Sequence, residues 1–443
     1  MPIQSTHELY DQYAPHMKRT RDAVAGNVKH YVPKLAGQTP AEYETYTNRS
    51  NYFNVVERTL SALTGALTRR EHTITGIEPV FYNGVGEDEF ILNCYIEIFT
   101  TGRTGLLVDF DDVNNTPYTT SYSGEAIINW SKDFIILAEP YFDADPRDKY
   151  KQIMLMRYRE LFIDENGFYA VNIWEQKRNR YGNFAGKAEY EIVETIEPSI
   201  RGMRLTYIPF VVVNSNGVGI EYITRPPLDT MAGLNIDHFI TSVDTGHAIH
   251  KLAVPTPWIA GDLQGDSQSV ALTNQIIHLT QGSSCGWLEF SGAGVQKQID
   301  WMNMKEAQMY SPGSRMLQYK KGVEASDSLQ IRLGAEGASL VGVATALEEG
   351  LEQAFNICNM WSGVSVEVEV ELNKDVSPSI IDPQQVASLL ALYQQNIITL
   401  DTLLQRLYEG EIVDSVEEEK EMLAGTEPVD NPAEEIQEME GEQ

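Results

Sequence analysis

A stretch of chain between two pairs of prolines constrains the fold more than any other feature. Pro226 and Pro227 precede it, Pro255 and Pro257 follow it, and no proline lies between them. Because proline is tolerated in the first turn of a helix but breaks its interior, this spacing predicts one continuous helix over Leu228–Leu252. At ~1.5 Å per residue such a helix would be roughly 37 Å long.

The apolar residues of this helix recur at close to helical period on two sides. They are Leu228, Met231, Leu234, Ile236, Phe239, Ile240, Val243, Ile249 and Leu252. Asp229 at the start and His247, His250 and Lys251 at the end suit the helix dipole. A rod that is apolar on more than one side needs neighbours on more than one side.

Charge is the second constraint, because the 443 residues carry a formal net charge of −31. Eleven of the acidic residues lie in 415–443 against Lys420 alone, and we expect this tail to be acidic and mobile. Such acidity argues against a surface that grips DNA, but not against a surface that DNA passes without adhering.

Other bulk properties indicate a folded protein. The hydrophobic content of 42% fits a packed core, and no apolar run approaches the ~18 residues that would span a bilayer. The first residues lack the pattern of a secretory signal. The three scattered cysteines indicate a reducing compartment rather than a disulfide framework.

Local patterns predict a mixed α+β chain. Capping boxes at Ser5–Glu8 and Thr39–Glu42 open N-terminal helices, and the apolar spacing in 51–70 predicts another helix. We interpret Phe90–Phe99 and Gly105–Phe110 as strands of a hairpin. The further predicted strands are Met154–Ile163, Phe168–Gln176, Ala188–Ile196, Tyr207–Val213 and Val364–Glu371, with a strong turn signal at Asn166-Gly167.

Helical patterns dominate the C-terminal half. The predicted helices are Ser267–Gln281, Met302–Lys320 with a break at Ser311-Pro312-Gly313, Glu336–Trp361 after a loop at Gly322–Gly334, and a pair opening at Asp382-Pro383 and ending near Tyr408.

Motifs that could carry chemistry fail on context. Gly182–Lys187 has one residue too few for a phosphate loop and lies in a hairpin. Cys285 has no evident histidine and asparagine partners for a nucleophile, and we interpret it as a small buried or half-buried thiol. Gly-Ser-Ser-Cys-Gly at 282–286 is therefore not treated as an active site.

Metal-site patterns are equally incomplete. His247 and His250 lie three apart on one helix without further ligands. Asp143–Asp148 departs from a calcium loop at its glycine and bidentate positions. A metal role for Asp109, Asp111 and Asp112 has no support beyond their clustering. We expect no catalytic residue, no metal and no cofactor.

The order of several soft motifs resembles one known family. The segments are Tyr52–Leu67, Thr101–Asp109, Gly124–Trp130, Arg157–Trp174, Ile208-Pro209-Phe210, Pro226-Pro227-Leu228, Leu234-Asn235 and Pro255–Gly261. In this order they resemble the portal (head-to-tail connector) proteins of tailed double-stranded DNA bacteriophages.

The resemblance implies an α+β portal fold with wing, two-helix stem, small α/β clip, channel loop and helical crown, in a ring of about twelve subunits. The implied boundaries are 1–225 wing, 226–253 first stem helix, 254–300 clip, 301–320 second stem helix, 321–335 channel loop, 336–378 long helix and wing return strand, 379–414 crown and 415–443 tail. The second apolar side of the first stem helix then becomes a subunit interface, with Phe239 and Val243 as candidates.

The resemblance also implies a function and partners. The ring would sit at one capsid vertex of the virion, after assembly in the host cytoplasm, as a passive channel for packaging and ejection of double-stranded DNA. Its implied partners are terminase, major capsid protein or scaffold, and a tail adaptor, with no membrane. Arg315, Lys320 and Lys321 would lie near the constriction and make weak phosphate contacts. A solvated helix C-terminus with favourable dipole placement is the simpler explanation of the same cluster.

Two other classes stay open at this point. One is a different virion component, such as an adaptor or a minor capsid protein. The other is an intracellular enzyme whose site the sequence does not reveal.

Overall fold

The computed structural model describes residues 2–111, 116–145, 148–177, 189–200, 202–252, 256–260, 282, 284–288, 293–309, 326–376, 383–409, 412–413 and 415–425. The chain forms two compact units, Met1–Lys374 and Asp375–Gln443.

The helices of the described residues are α1 (Glu8–Ala25), α2 (Pro40–Thr47), α3 (Val55–Leu67), α4 (Glu87–Thr101), α5 (Asp229–Leu252), α6 (Ala293–Met309), α7 (Ser326–Ser362), α8 (Pro383–Gln394), α9 (Leu400–Glu409) and α10 (Val416–Gly425).

The strands are β1 (Thr73–Thr75), β2 (Arg103–Asp111), β3 (Thr116–Ser123), β4 (Ile127–Trp130), β5 (Phe134–Asp145), β6 (Asp148–Ile163), β7 (Tyr169–Gln176), β8 (Tyr190–Ile196), β9 (Ser199–Ile200), β10 (Met203–Arg204), β11 (Phe210–Asn214), β12 (Gly217–Val218), β13 (Thr256–Ala260), β14 (Ser284–Leu288) and β15 (Glu369–Glu371).

The N-terminal helices begin close to the predicted caps. The capping box of α2 is complete, with Thr39 and Glu42 each accepting from the other's backbone N–H. At α1 the cap differs from the expectation, because His7 is the capping residue and its Nδ1 accepts from the N–H of Leu9 at 3.1 Å. An imidazole nitrogen thus satisfies a backbone donor of the first turn, which the sequence assigned to Ser5.

The predicted strand Phe90–Phe99 is wrong, because these residues lie within the helix α4. Its buried residues Phe90, Ile91, Cys94, Tyr95, Ile98 and Phe99 recur at helical spacing, which a run of aromatic and β-branched residues disguises. Three acidic residues in the first turn favour the helix N-terminus. Gly102 ends the helix in the left-handed conformation, with φ of 85°.

Gly102 also packs against the chain that leads into α5. A β-carbon at this position would lie 2.2 Å from the carbonyl oxygen of Thr224. The carbonyl of Gly102 accepts from the Thr224 hydroxyl at 2.6 Å and from the Ser215 N–H at 3.1 Å. Both the backbone conformation and the close approach therefore require glycine here.

A four-stranded antiparallel sheet in the order β12-β11-β2-β3 forms the centre of the first unit. The predicted strands around Gly105–Phe110 and Tyr207–Val213 are confirmed, and they pair with each other with Val212 opposite Gly105. The strand β3 went unnoticed in the sequence.

The chain between β3 and β11 forms a five-stranded sheet in the order β4-β5-β6-β7-β8. The predicted strands β6, β7 and β8 are confirmed, with Gly167 at φ of 83° in the turn between β6 and β7. The strand β5 was missed, although its Phe134-Ile135-Ile136-Leu137 run is typical of a buried strand.

Charged side chains from both sheets form a partly buried network. Arg159 of β6 donates to Glu139 of β5 at 2.7 Å, and Arg157 donates to the same carboxylate at 2.8 Å. The Tyr122 hydroxyl of β3 donates to Glu139 at 2.7 Å, and Arg159 lies 3.4 Å from Asp109 of β2. Asp109 is therefore engaged in linking the two sheets.

The long helix α7 packs on β2, β3, β11 and β12. Its predicted buried face is confirmed, and comprises Leu340, Val343, Ala344, Leu347, Leu351, Phe355, Cys358 and Trp361. The helix begins at Ser326, so residues 326–335 are helical where the sequence predicted a loop. Gly334 lies inside α7, although an interior glycine costs a helix ~1 kcal/mol relative to alanine.

Smaller differences concern the strand after α7 and the second unit. The strand β15 is limited to Glu369–Glu371, paired with β1. In the second unit α8 begins at Pro383 and α9 ends at Glu409, as expected. The helix α10 occupies the start of the predicted mobile tail, and Lys420 there forms an ion pair with Asp401 at 3.0 Å.

Candidate functional site

The candidate site is the antiparallel pair of helices α5 and α6 together with the strands β13 and β14, which we call the helical hairpin. The predicted helix over Leu228–Leu252 is confirmed almost residue for residue. Asp237 of α5 lies opposite Lys305 of α6, and Thr245 lies opposite Met302. The two strands pair antiparallel, with Trp258 opposite Gly286.

A buried carboxylate fixes the start of α5 to the N-terminal helix α1. Asp229 has no exposed side-chain surface and accepts from Arg19 at 2.6 Å, from Arg225 at 2.5 Å and from His16 at 3.1 Å. Burial alone would raise the pKa of Asp229, but the hydrogen bonds and positive charges of Arg19 and Arg225 outweigh it and lower the pKa. The carboxylate is therefore held in its charged form.

Polar contacts continue along one side of α5. Asn235 is buried and accepts from the Tyr52 hydroxyl and the Val55 N–H, both at 3.0 Å, while its amide donates to the Phe53 carbonyl at 3.0 Å. The Tyr46 hydroxyl donates to Asp244 near the end of the helix. These contacts bind α5 to the N-terminal region along most of its length.

Phe239 and Val243, the predicted interface residues, are buried within the single chain. Phe239 is 2% exposed and Val243 is fully buried, and the ring of Tyr52 meets Phe239 edge-on at 5.6 Å. The rod does have neighbours on more than one side, but they are α1, α2, α3 and α6 of the same chain. A contact of Phe239 or Val243 with a second copy stays a prediction.

The other helix of the pair, α6, packs its inner side against α5. Met309 is fully buried, whereas Trp301 is 49% and Met304 is 41% exposed. Since these two are three residues apart, they lie on the same outer face of the helix. The Lys305 ammonium lies 5.0 Å from the centre of the Trp301 ring.

Ionisable groups between the helices contribute little chemistry. Burial lowers the pKa of His238, and the charge of Glu306 opposes this shift. His247 meets the Tyr46 ring edge-on at 5.2 Å. No cluster of metal-ligating side chains occurs in the part of the chain that the structure describes.

A cleft of about 510 Å³ elsewhere in the first unit is the best candidate for an enzyme site. It lies between the segment 67–72 at the end of α3, the helix α4, and Leu372 and Asn373. On its wall His72 bonds to Glu87 at 2.5 Å, and Tyr95 is buried, which raises the pKa of its phenol. His72 is thus paired with a carboxylate, and the phenol of Tyr95 is desolvated.

Several sequence candidates cannot be placed. Arg315, Lys320 and Lys321, the break at Ser311-Pro312-Gly313, the loop Gly182–Lys187 and the predicted helix Ser267–Gln281 lie outside the described residues. The face formed by Trp301 and Met304 was missed, although the two residues fall one turn apart in the sequence. None of the described helices is long and apolar enough to cross a membrane.

Comparison with known proteins adds one family match. The model of a family described as a domain of unknown function (DUF4055) matches residues 227–362, from the proline before α5 to the last residue of α7. No curated protein matches the chain significantly.

Among solved structures the chain is similar to a chain from the neck of an empty GTA particle, at 10% identity over 88% of this chain and 97% of that chain, with a TM-score of 0.43. It is similar to a chain from the virion of a native gene transfer agent particle, at 10% identity over 89% and 99%, with a TM-score of 0.41. An HK97 family phage portal protein from Corynebacterium diphtheriae matches at 11% identity over 77% and 97%, with a TM-score of 0.32.

Proposed function

We propose that this protein is a phage portal protein, which forms a ring of about twelve copies around a DNA channel at one capsid vertex. The observation that carries the proposal is the helical hairpin. It consists of two antiparallel helices with a two-stranded sheet between them in the sequence, and α5 packs against the mixed α+β body. Trp301 and Met304 of α6 are exposed.

The contacts that hold α5 against the N-terminal region suit a helix in the wall of a ring. A helix that must keep its angle in a ring needs a rigid connection to its body, and the contacts of Asp229 with Arg19 and of Asn235 with Tyr52 supply one. The exposed apolar face of α6 is then available for the neighbouring copy. Burial of a tryptophan and a methionine in such a contact would stabilise the ring by a few kcal/mol per interface.

The charge of the chain suits a passive conduit. A ring of copies that each carry a net charge of −31 is surrounded by a negative field, which favours sliding of DNA over adhesion. Terminase would supply the motor, and a tail adaptor and the capsid protein or scaffold would dock on the outside. Arg315, Lys320 and Lys321 are proposed to give the few weak phosphate contacts inside the channel.

Mass photometry and negative-stain imaging of the purified full-length chain test the proposal. We expect particles of about 600 kDa, the mass of twelve chains of 49.8 kDa, which appear as rings with a central hole. A chain that stays monomeric or dimeric at micromolar concentration in 0.5 M salt would contradict it. A catalytic activity of the purified chain would instead favour an enzyme.

A further inference from the structure

The hairpin formed by β5 and β6 extends beyond the sheet that it belongs to. β4 pairs with β5 only as far as Leu137, and β7 pairs with β6 only from Tyr158 onward. Among the described residues, Glu139 to Asp145 and Asp148 to Arg157 form ladder pairs only with each other. We call this two-stranded extension the β5–β6 ribbon.

The two faces of the ribbon differ in chemistry, because residues directly opposite each other in the ladder share a face. One face carries the pairs Pro140–Met156, Phe142–Met154 and Ala144–Gln152. The other carries the pairs Glu139–Arg157, Tyr141–Leu155 and Asp143–Ile153. The first face is therefore uncharged, and the second contains all the charged side chains of these six pairs.

The uncharged face of the ribbon is also the more exposed of the two faces. On the uncharged face Phe142 is 68% and Met154 is 65% exposed. On the charged face Tyr141 and Leu155 are half-buried, and the guanidinium of Arg157 lies 5.7 Å from the Tyr141 ring. A phenylalanine and a methionine in direct cross-strand contact are thus turned to solvent, while the charged side is the covered one.

Exposure of the apolar face, with the charged face covered, indicates that another molecule binds the ribbon. A two-stranded ribbon alone is at best marginally stable in water, and exposed apolar side chains directly opposite each other mark a contact surface. Nucleic acid does not suit the uncharged face, which offers no cation for a phosphate.

We propose that the uncharged face of the β5–β6 ribbon docks on a second copy of this chain and tethers adjacent copies in the assembly. The electrostatics favour a second copy in particular. Two chains that each carry a net charge of −31 repel each other, and they approach at least cost where a face carries no charge. This inference rests on the proposed ring and adds a contact away from the helical hairpin.

The ribbon and the helical hairpin would act together in assembly. When two contacts join the same pair of copies, the second forms at high effective concentration. Loss of the ribbon contact should therefore weaken the ring without removing the contact made by α6.

The test is the double variant Phe142→Lys with Met154→Glu in the full-length chain. Opposite charges directly opposite each other preserve the cross-strand pairing and remove only the apolar surface. The matched control is Val80→Lys, at a valine that is 47% exposed and lies outside the ribbon. Thermal unfolding of all three proteins checks that the fold is intact.

Mass photometry over a dilution series reads the result. We expect the double variant to raise the concentration at which assemblies dissociate by about tenfold or more, and the control to leave it unchanged. A photo-crosslinking residue at position 142 should give covalent dimers of the chain.

The outcomes separate the two proposals. Wild-type rings whose dissociation the double variant leaves unchanged overturn the ribbon contact and leave the ring standing. A wild-type chain that neither assembles nor crosslinks to itself overturns both. Sedimentation of the wild type with phosphatidylcholine and phosphatidylglycerol vesicles, lost in the double variant, assigns the ribbon to a membrane and also overturns the inference.

Discussion

Gly350 of α7 lies against Val213 of β11 so closely that a β-carbon on the glycine would be 2.2 Å from Val213 Cγ2. Val213 is fully buried and sits in the strand that pairs with β2. The absent side chain therefore sets how near the long helix can approach the central sheet.

The first prediction concerns this contact. Gly350→Ala should destabilise the chain by about 1–3 kcal/mol, because the added methyl group overpacks the interface. Val213→Ala makes room for it, so the double variant Gly350→Ala with Val213→Ala should recover part of the loss. Urea unfolding of the two single variants and the double variant measures the coupling. Additive effects would mean that the two residues do not touch.

The second prediction concerns the buried carboxylate of α5. Asp229→Asn leaves the cations Arg19 and Arg225 beside a neutral group and should cost about 3–5 kcal/mol. The control is Asp237→Asn, also on α5. It removes the partly exposed ion pair between Asp237 and Lys305 of α6 and should cost less than about 1 kcal/mol. Equal losses in chemical unfolding would contradict the assigned role of Asp229.

The third prediction is a pH dependence. Burial would raise the pKa of Glu139, but Arg159, Tyr122 and Arg157 outweigh it and lower the pKa below its ordinary value of 4.5. A group with a lowered pKa in the folded state contributes stability above the unfolded value and loses it as pH falls through the folded value. The stability difference between wild type and Glu139→Gln should therefore be full at pH 6–7 and shrink below about pH 4.5. A difference that is constant from pH 7 to pH 3 would rule this out.

The fourth prediction separates burial from assembly. Phe239→Ala should lower the stability of the single chain by about 3–5 kcal/mol, since the side chain is 2% exposed. Trp301→Ala should leave the thermal midpoint of the dissociated chain nearly unchanged and reduce the fraction of assembled particles. Thermal unfolding at low concentration and mass photometry at high concentration read the two effects. Loss of assembly in Phe239→Ala, with the stability of the single chain unchanged, would instead place Phe239 in the subunit interface.

The fifth prediction follows from the net charge of −31. Copies with like charge repel each other, and salt screens this repulsion, with a Debye length of about 10 Å at 0.1 M and about 3 Å at 1 M. The assembled fraction should therefore rise with sodium chloride between these concentrations. A fall over the same range would indicate that ion pairs between copies hold the assembly together.

The sequence predicted elements whose signals are local. Prolines bracket α5, so its ends were readable, and Thr39 with Glu42 located the start of α2. The helix α4 was mistaken for a strand because its Phe, Ile, Tyr and Ile residues carry high β-propensity, which tertiary packing overrides. The spacing of Phe90, Cys94 and Ile98, four residues apart, is typical of one face of a helix.

The candidate site was predictable only in part. The two apolar sides of α5 indicated neighbours, but nothing local in the sequence says that Tyr52 rather than a second chain covers Phe239. Contacts between residues far apart in the chain are decided by the whole fold. For the same reason the sequence could not disclose that Arg19 is the partner of Asp229.

The ion pair between Asp229 and Arg19 spans 210 positions of the chain. During synthesis α1 leaves the ribosome long before α5. Arg19 and His16 therefore lack the carboxylate of Asp229 while the intervening strands are being made. Contacts of such sequence separation form late and slow folding. Asp229 and the other contact residues of α5 can bind the N-terminal helices only after that part of the chain has been made. A nascent chain that has not reached residue 229 has no rod to present to another copy.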